Sequence, residues 1–277
     1  MSASTELAIV IVSYNAREDL HDCLSALRAH PPRTTHQIVV VDNASTDGSA
    51  AAARAFGSPV AVVDAGDNLG FARATNVGMA ATASRLILLL NSDALPRPGA
   101  IDDLVATLNG RDDVAAVGPR LVDASGRLEI SFGPMITPWA EVWQKSLVKA
   151  HARSVPLLAA LAERRARRAR VVDWVSGACL LVRREDADAV GGLDDRYFLY
   201  TEDVDFCASL RASGRHILFT PSAEVVHRRG RSGLQNPGAT QTAYRQSQVA
   251  FYRKHHPRWL PVLRLYLRLR GLLPPGS

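Results

Sequence analysis

Four apolar runs punctuate the first hundred residues: "LAIVIVS" (7–13), "QIVVVD" (37–42), "VAVVDA" (60–65) and "RLILLL" (85–90). Each has strand length and is apolar at consecutive rather than alternating positions, the mark of strands covered on both faces. Between them, Leu and Ala recur at helical spacing. This alternation predicts a βαβαβαβ unit around a mostly parallel sheet. After "LPRPG" the pattern loosens into a helix at about 99–109, a short strand "VAAVGP", the segment "GRLEISFGP" and a Trp-bearing, Arg-rich helical region over 137–170. Strands return in "VVDWVSGACLLVRR" (171–184), and "HILFT" and "AEVVHRRG" read as two more. The expected fold class is α/β: a mixed, mostly parallel sheet flanked by helices, with 137–170 as a helical insertion and a helical region at the C-terminal end.

The loops after the four N-terminal strands share a polar character. They read "SYN" (13–15), "DNASTDG" (42–48), "GDNLGFARATN" (66–76) and "NSD" (91–93). One such strand end could simply cap a helix, since Asp, Asn and Ser are preferred N-caps. Four at one sheet edge look like a nucleotide site, because open α/β sheets bind ligands beyond the carboxyl ends of their strands. None carries GxGxxG or GxxxxGK[ST], so neither NAD nor a Walker-type phosphate cradle is supported.

The stretch "RYFLYTEDVDFC" (196–207) places three carboxylates within four residues, directly after core-like sequence. Thr201 is the expected N-cap of a helix that Gly214 ends, with Glu202 and Asp203 in its first turn. Acids there complement the helix dipole. Helical phase puts Glu202, Asp205, Ser209 and Ala212 on the solvent side and Asp203 on the core-facing stripe with Cys207 and Leu210. An inward carboxylate needs a cation, a hydrogen-bond network or a water-filled cleft. Asp93 and His227 also end apolar strands; taken alone, a strand-end His is more often structural than a ligand. A carboxylate and an imidazole, completed by phosphate oxygens of a ligand, would suit Mn²⁺ or Mg²⁺.

Composition narrows the class. The chain of 277 residues is 47% hydrophobic, enough for a sizeable core. It has no eighteen-residue apolar run, and its N-terminus lacks the features of a signal peptide, so a cytoplasmic location is expected. Three scattered cysteines without a CxxC pair predict reduced, buried thiols rather than a disulfide or zinc framework. The net charge of +6 is unevenly spread: residues 225–277 hold ten Lys or Arg and no acid, leaving 23 basic against 27 acidic residues before them. A second basic cluster is "ERRARRAR" (163–170). No helix-turn-helix, RNP or zinc-finger pattern accompanies the charge, so nucleic acid is not an expected partner. "RWLPVLRLYLRLRGLL" (258–273) interleaves bulky apolar residues with Arg, as an interfacial helix on an anionic membrane surface does.

Seven motifs in order, "VSYN", "VVVDNASTDGS", "NLGFARATNVG", "LLLNSDA", "VSGACLLVRRE", "GGLDDRYFLYTEDVDFCASLRASG" and "AEVVHRRGRS", resemble those of family 2 glycosyltransferases, closest to the rhamnosyltransferase-like branch. The resemblance spans roughly residues 7–232. It implies a GT-A fold over 1–235, with a nucleotide-binding half at about 1–98 and an acceptor-side half at about 99–235, followed by the basic region 236–277. It also implies a nucleotide-sugar donor, with dTDP-rhamnose favoured, a divalent metal, and inverting transfer to a glycan or polyprenyl-diphosphate-linked saccharide in cell-surface polysaccharide synthesis; the acid-free basic C-terminal segment suggests that this takes place at the inner membrane face. Carried onto this chain, Asp42 resembles the acid that holds the nucleotide base, with Asn43 beside it and Ser13 and Asn15 at the same rim. Asn68, Gly70 and Asn76 resemble the closing donor loop. Asn91, Ser92 and Asp93 stand where the family has its metal-binding DXD, with Asn91 replacing the first Asp, so the metal contact falls to Asp93 and to His227. Asp203 matches the catalytic base. Glu202, Gly177, Ala178 and Trp174 are expected near the acceptor, although Trp174 serves equally well as core. Two alternatives stand beside this reading. A sugar nucleotidyltransferase would want a Gly-rich, Lys-bearing first loop, and "IVSYNARED" has neither residue. A catalytically idle sugar-nucleotide-binding protein is suggested by Asn91.

Overall fold

The computed structural model describes residues 5–137, 162–228 and 237–274. The N-terminal half forms as its pattern predicts: β1 (Leu7–Ser13), α1 (Arg17–Ala29), β2 (His36–Asp42), α2 (Ser49–Arg54), β3 (Val60–Asp64), α3 (Gly70–Ala80) and β4 (Leu86–Asn91). These strands are parallel and ordered β3-β2-β1-β4. The chain continues through β5 (Ala94–Pro96), α4 (Ala100–Asn109), β6 (Val114–Val122), β7 (Leu128–Glu129), β8 (Phe132–Gly133), β9 (Arg170–Val172), β10 (Trp174–Val175) and β11 (Cys179–Arg183). It then forms α5 (Arg184–Ala189), α6 (Glu202–Ala212), β12 (His216–His227), α7 (Pro237–His255), a 3₁₀ turn at Pro257–Trp259 and α8 (Leu260–Leu269). Most of the expected helical insertion, residues 138–161, lies outside the described residues.

The sheet extends to β3-β2-β1-β4-β11-β6-β12-β5, with β7 beside β6 and β9 beside β12. β11 runs antiparallel to both β4 and β6, so a strand from the second half is inserted beside the first. The consecutive apolar runs serve two cores. Ile9, Ile11, Leu88, Leu90 and Leu181 face a cluster with Leu20 and Leu24 of α1 and Leu104 and Leu108 of α4. Val10, Ile87, Leu89, Leu180 and Val182 face the opposite cluster, with Phe206 and Leu210 of α6, Phe251 of α7 and Leu263 of α8. Full burial of each such side chain contributes roughly 1.5–3 kcal/mol. Gly78 lets α3 lie close to the sheet, since a Cβ there would come within 2.4 Å of Val10 Cγ1.

The second half departs from its pattern in two ways. "HILFT" and "AEVVH" are one strand, β12, rather than two: the intervening "PSA" is a register shift between Thr220 and Glu224 against β6, a bulge that absorbs Pro221 without ending the strand. The other departure concerns α6, which has no solvent side at its start. Glu202 and Asp205, expected to face water, are buried, because β10 and the β12 face cover one flank of the helix and α7 the other.

Candidate active site

The carboxyl edge of the parallel strands gathers the polar strand ends. Register aligns Ser13 with Asp42 and Asp42 with Asp64, while Asn91 sits opposite Val12. Ser13 and Asp42 are buried, yet among the described residues Ser13 Oγ and Asp42 Oδ1 have no hydrogen-bond partner. Buried polar atoms are rarely left unpaired without a role, and these two are placed to receive a polar ligand. Asp42 Oδ2 accepts from the Ser45 N–H at 3.1 Å, which fixes the carboxylate. Asn15, at φ 48°, accepts from the Thr46 N–H at 2.8 Å and ties the first loop to the second.

Asn43 and Asn68 shape the rim. Asn43 Nδ2 donates to Asn68 Oδ1 at 2.9 Å and to the Gly70 carbonyl, while its Oδ1 accepts from the Leu69 N–H. Gly70 has φ +77°, and a Cβ there would lie 2.4 Å from the Phe198 carbonyl. Only glycine combines that backbone with that approach. The donor-side loop is thereby joined to the 196–201 loop through the Phe71 N–H, which donates to the same carbonyl at 2.7 Å. Asn76 lies away from the rim: its amide clasps "GGLDD", donating to the Leu193 carbonyl and accepting from the Leu193 N–H.

β4, β5 and β12 bring the "NSD" segment to the end of the last long strand. His227 Nε2 lies 3.2 Å from Asp93 Oδ1 and 3.4 Å from Asn91 Nδ2. Its Nδ1 lies 3.0 Å from Glu129 Oε2, which favours a proton on Nδ1 and turns Nε2 toward Asp93. Burial opposes charge on His227, but hydrogen bonds to Asp93 and Glu129 outweigh it and lift the pKa to about 9. Among the described residues no three His, Cys, Asp or Glu side chains form a ready-made metal cage. Once Nε2 gives up its proton, Asp93 and His227 offer one oxygen and one nitrogen donor, which fits a cation that displaces that proton and takes its remaining ligands from a diphosphate and water.

Asp203 stands at the first turn of α6. Its Oδ2 accepts from the Gly177 N–H at 2.8 Å and its Oδ1 from the Val204 N–H at 2.8 Å. Burial raises its pKa, against the two N–H groups that favour the anion. Beside it, burial and then the Asp203 charge push the Glu202 carboxyl well above the usual carboxylate range. Glu202 Oε2 and Thr201 Oγ1 are buried without partners among the described residues. Thr201 precedes the helix as expected but provides no side-chain cap. It and Tyr200 adopt φ 67° and 68°, a strained entry of the sort concentrated at functional sites.

The "Glycosyltransferase like family 2" model matches residues 5–261. The chain belongs to glycosyltransferase family 2. It is 31% identical over 264 residues, 91% of this chain and 86% of the relative, to N-acetylglucosaminyl-diphospho-decaprenol L-rhamnosyltransferase of Mycobacterium tuberculosis. Mannosyltransferase PcManGT from Pyrobaculum calidifontis, solved with GDP-Man and Mn²⁺, superposes with a TM-score of 0.63 at 20% identity, covering 95% of this chain and 69% of that one. GalNAc-T7, solved with UDP, GalNAc and Mn²⁺, gives a TM-score of 0.63 at 17% identity, covering 90% and 48%. The fold is GT-A and the protein is a glycosyltransferase.

Within this family 2 site, the residues expected near the acceptor have distinct surroundings. Trp174 is core: its indole is buried and its Nε1–H donates to the Pro134 carbonyl at 2.9 Å. Gly177 matters for what it lacks, since a Cβ there would lie 3.2 Å from Asp203 Cβ. Ala178 is buried, and its carbonyl accepts from the Asn91 N–H, linking the segment beside Asp203 to the "NSD" strand. Ser92 is buried between Asn91 and Asp93. Glu129 carries no motif: a lone acid in "GRLEISF" gives no signal until β7 pairs with β6 beside β12.

Proposed function

We propose that this glycosyltransferase transfers a sugar, with L-rhamnose from dTDP-rhamnose favoured, to a polyprenyl-diphosphate-linked saccharide with inversion at the anomeric carbon. The M. tuberculosis relative supports the sugar and the lipid-linked acceptor. The observation that carries the mechanism is the Asp203 carboxylate, fixed by two backbone N–H groups at the first turn of α6.

Ser13 and Asp42 take the nucleotide at the strand ends, and Asn15 holds the rim around it. Asp93 and His227 are the residues that would hold Mn²⁺ or Mg²⁺, and the cation would neutralise charge on the departing diphosphate. Each Asp203 oxygen keeps a lone pair free beyond its bond to a backbone N–H. One of them accepts the acceptor hydroxyl's proton as the hydroxyl oxygen bonds to the anomeric carbon. The bond from that carbon to the diphosphate oxygen breaks on the opposite face, and the pair of electrons leaves with the nucleoside diphosphate. The raised pKa of Asp203 makes it a stronger base. Work on such an acceptor would call for contact with a membrane surface; among the described residues no helix is long and apolar enough to cross one.

The test is release of nucleoside diphosphate from a panel of nucleotide sugars, with a membrane lipid extract and with Mn²⁺, Mg²⁺ or EDTA. One donor should be turned over, and Asp203→Asn should lower kcat by roughly 10²–10⁴-fold while still binding nucleotide. The base must be ionised, so wild-type kcat should fall with acid through a pKa higher than that of an ordinary aspartate. An unchanged rate in Asp203→Asn would remove the assigned base, and turnover of another donor would replace rhamnose.

A further inference from the structure

Five of the nine large hydrophobic side chains exposed among the described residues lie in one short stretch: Trp259, Val262, Leu265, Tyr266 and Leu269. The last four stand at i, i+3, i+4 and i+7 of α8, so they form one stripe. The stripe is not the face that holds the helix down. Leu263 and Leu267 are buried in the core shared with α6 and α7, with Leu260 packed against it, and they project from another side of α8. An isolated exposed Leu needs no explanation, but a contiguous stripe does; Leu269 is 78% exposed.

Charge decides what covers it. By helical phase Arg268 flanks the stripe on one side and Arg270 on the other, and Arg258 stands just before the helix; all three are exposed. Residues 225–277 contain no acid. A second copy laid on the same stripe would bring these arginines together without a carboxylate from either C-terminal segment to balance them. An anionic lipid surface supplies the opposite charge and an apolar interior at the depth that short aliphatic side chains reach, while Arg heads stay at phosphate level.

We infer that the outward face of α8, built on Val262, Leu265, Tyr266 and Leu269 and rimmed by Arg258, Arg268 and Arg270, is the surface by which this protein docks on an anionic membrane. This deepens the reading of a lipid-linked acceptor but does not need any acceptor to be present. α8 begins within six residues of Lys254 and His255, which bind Asp205 of the Asp203 helix at 2.8 and 2.6 Å. The docked face and the catalytic base therefore belong to one packed unit, and the membrane-bound orientation fixes where Asp203 stands relative to the lipid.

The experiment uses the full chain and vesicles of phosphatidylcholine with or without phosphatidylglycerol, free of sugar acceptor, at low and high salt. Wild type should sediment with the anionic vesicles and lose most binding at high salt. The substitutions Val262→Ser, Leu265→Gln and Leu269→Gln together, all on exposed positions, should weaken partitioning by roughly a hundredfold. Arg258→Gln, Arg268→Gln and Arg270→Gln together should abolish the lipid-charge preference. Circular dichroism and soluble donor turnover should match wild type in both variants. Loss of donor turnover in wild type would count against the transferase assignment and leave the docking result standing. Equal binding to neutral and anionic vesicles, no binding, or a concentration-dependent dimer in light scattering that the apolar substitutions dissolve would overturn the inference.

Discussion

At the scale of single residues, the site depends on side chains that never reach substrate. Glu129 is nearly buried and faces His227 Nδ1 at 3.0 Å, the arrangement by which a carboxylate orients a metal-binding imidazole. Glu129→Ala should weaken Mn²⁺ affinity by about 10–100-fold, measured by electron paramagnetic resonance with nucleoside diphosphate present. Glu129→Gln should retain most of the affinity through its amide oxygen, and nucleotide binding in EDTA should not change. Equal Mn²⁺ affinity in the alanine variant would show that Glu129 does not orient the histidine. Sequence shows Asp93, His227 and Asp203 because each sits at an element boundary beside a buried run, where a charged residue is conspicuous. It does not show Glu129, which becomes a neighbour of His227 only through pairing across 98 residues. Trp174 illustrates the opposite limit: an aromatic beside small residues looks the same in a sugar wall and in a core, and only the buried indole with its Pro134 bond separates them.

Among the elements, α6 and α7 form a clamp. Asp205 is 1% exposed and accepts from Tyr197 at 3.1 Å, from Lys254 at 2.8 Å and from His255 at 2.6 Å. Ser247 of α7 donates to the Leu199 carbonyl at 2.8 Å, holding the strained loop just before the base helix. Lys254 keeps its charge because Asp194 and Asp205 raise its pKa against the cost of burial. Lys254→Met should destabilise the protein by roughly 1–3 kcal/mol, since Asp205 retains two other partners. It should also quicken hydrogen exchange in α6 while leaving α1 unaffected. An unshifted melting temperature with unchanged exchange in α6 would mean that the ion pair does not hold the helices together. This clamp explains why helical phase misplaced Asp205. Periodicity assigns a charged position to solvent unless a later segment covers it, and here the cover arrives about fifty residues downstream. The same periodicity works for β1 to β4, whose partners are near in sequence and whose runs are apolar on both faces.

Across the whole molecule, charge and packing divide the chain differently. By charge, residues 225–277 are a separate basic segment. By packing they are not, because Val249, Phe251, Tyr252, Leu263 and Leu267 are buried in one cluster with Phe206, Cys207 and Leu210 of the base helix and with Leu180 and Val182 of the sheet. Five apolar side chains buried at roughly 1.5–3 kcal/mol each amount to about 7–15 kcal/mol, comparable with the whole stability of a typical domain. β11 likewise locks the two halves of the sheet together between β4 and β6. A chain ending at residue 236 should therefore be more than a transferase that has lost its membrane contact. It should be insoluble or molten, with exposed core that binds a hydrophobic dye, and the full chain should melt in a single calorimetric transition. A truncated protein that keeps its near-ultraviolet dichroism and still turns over donor would show the C-terminal helices to be a detachable anchor. The substitutions on the outer face of α8 separate the two roles within one helix, since they change what faces the lipid and leave Leu263 and Leu267 in the core.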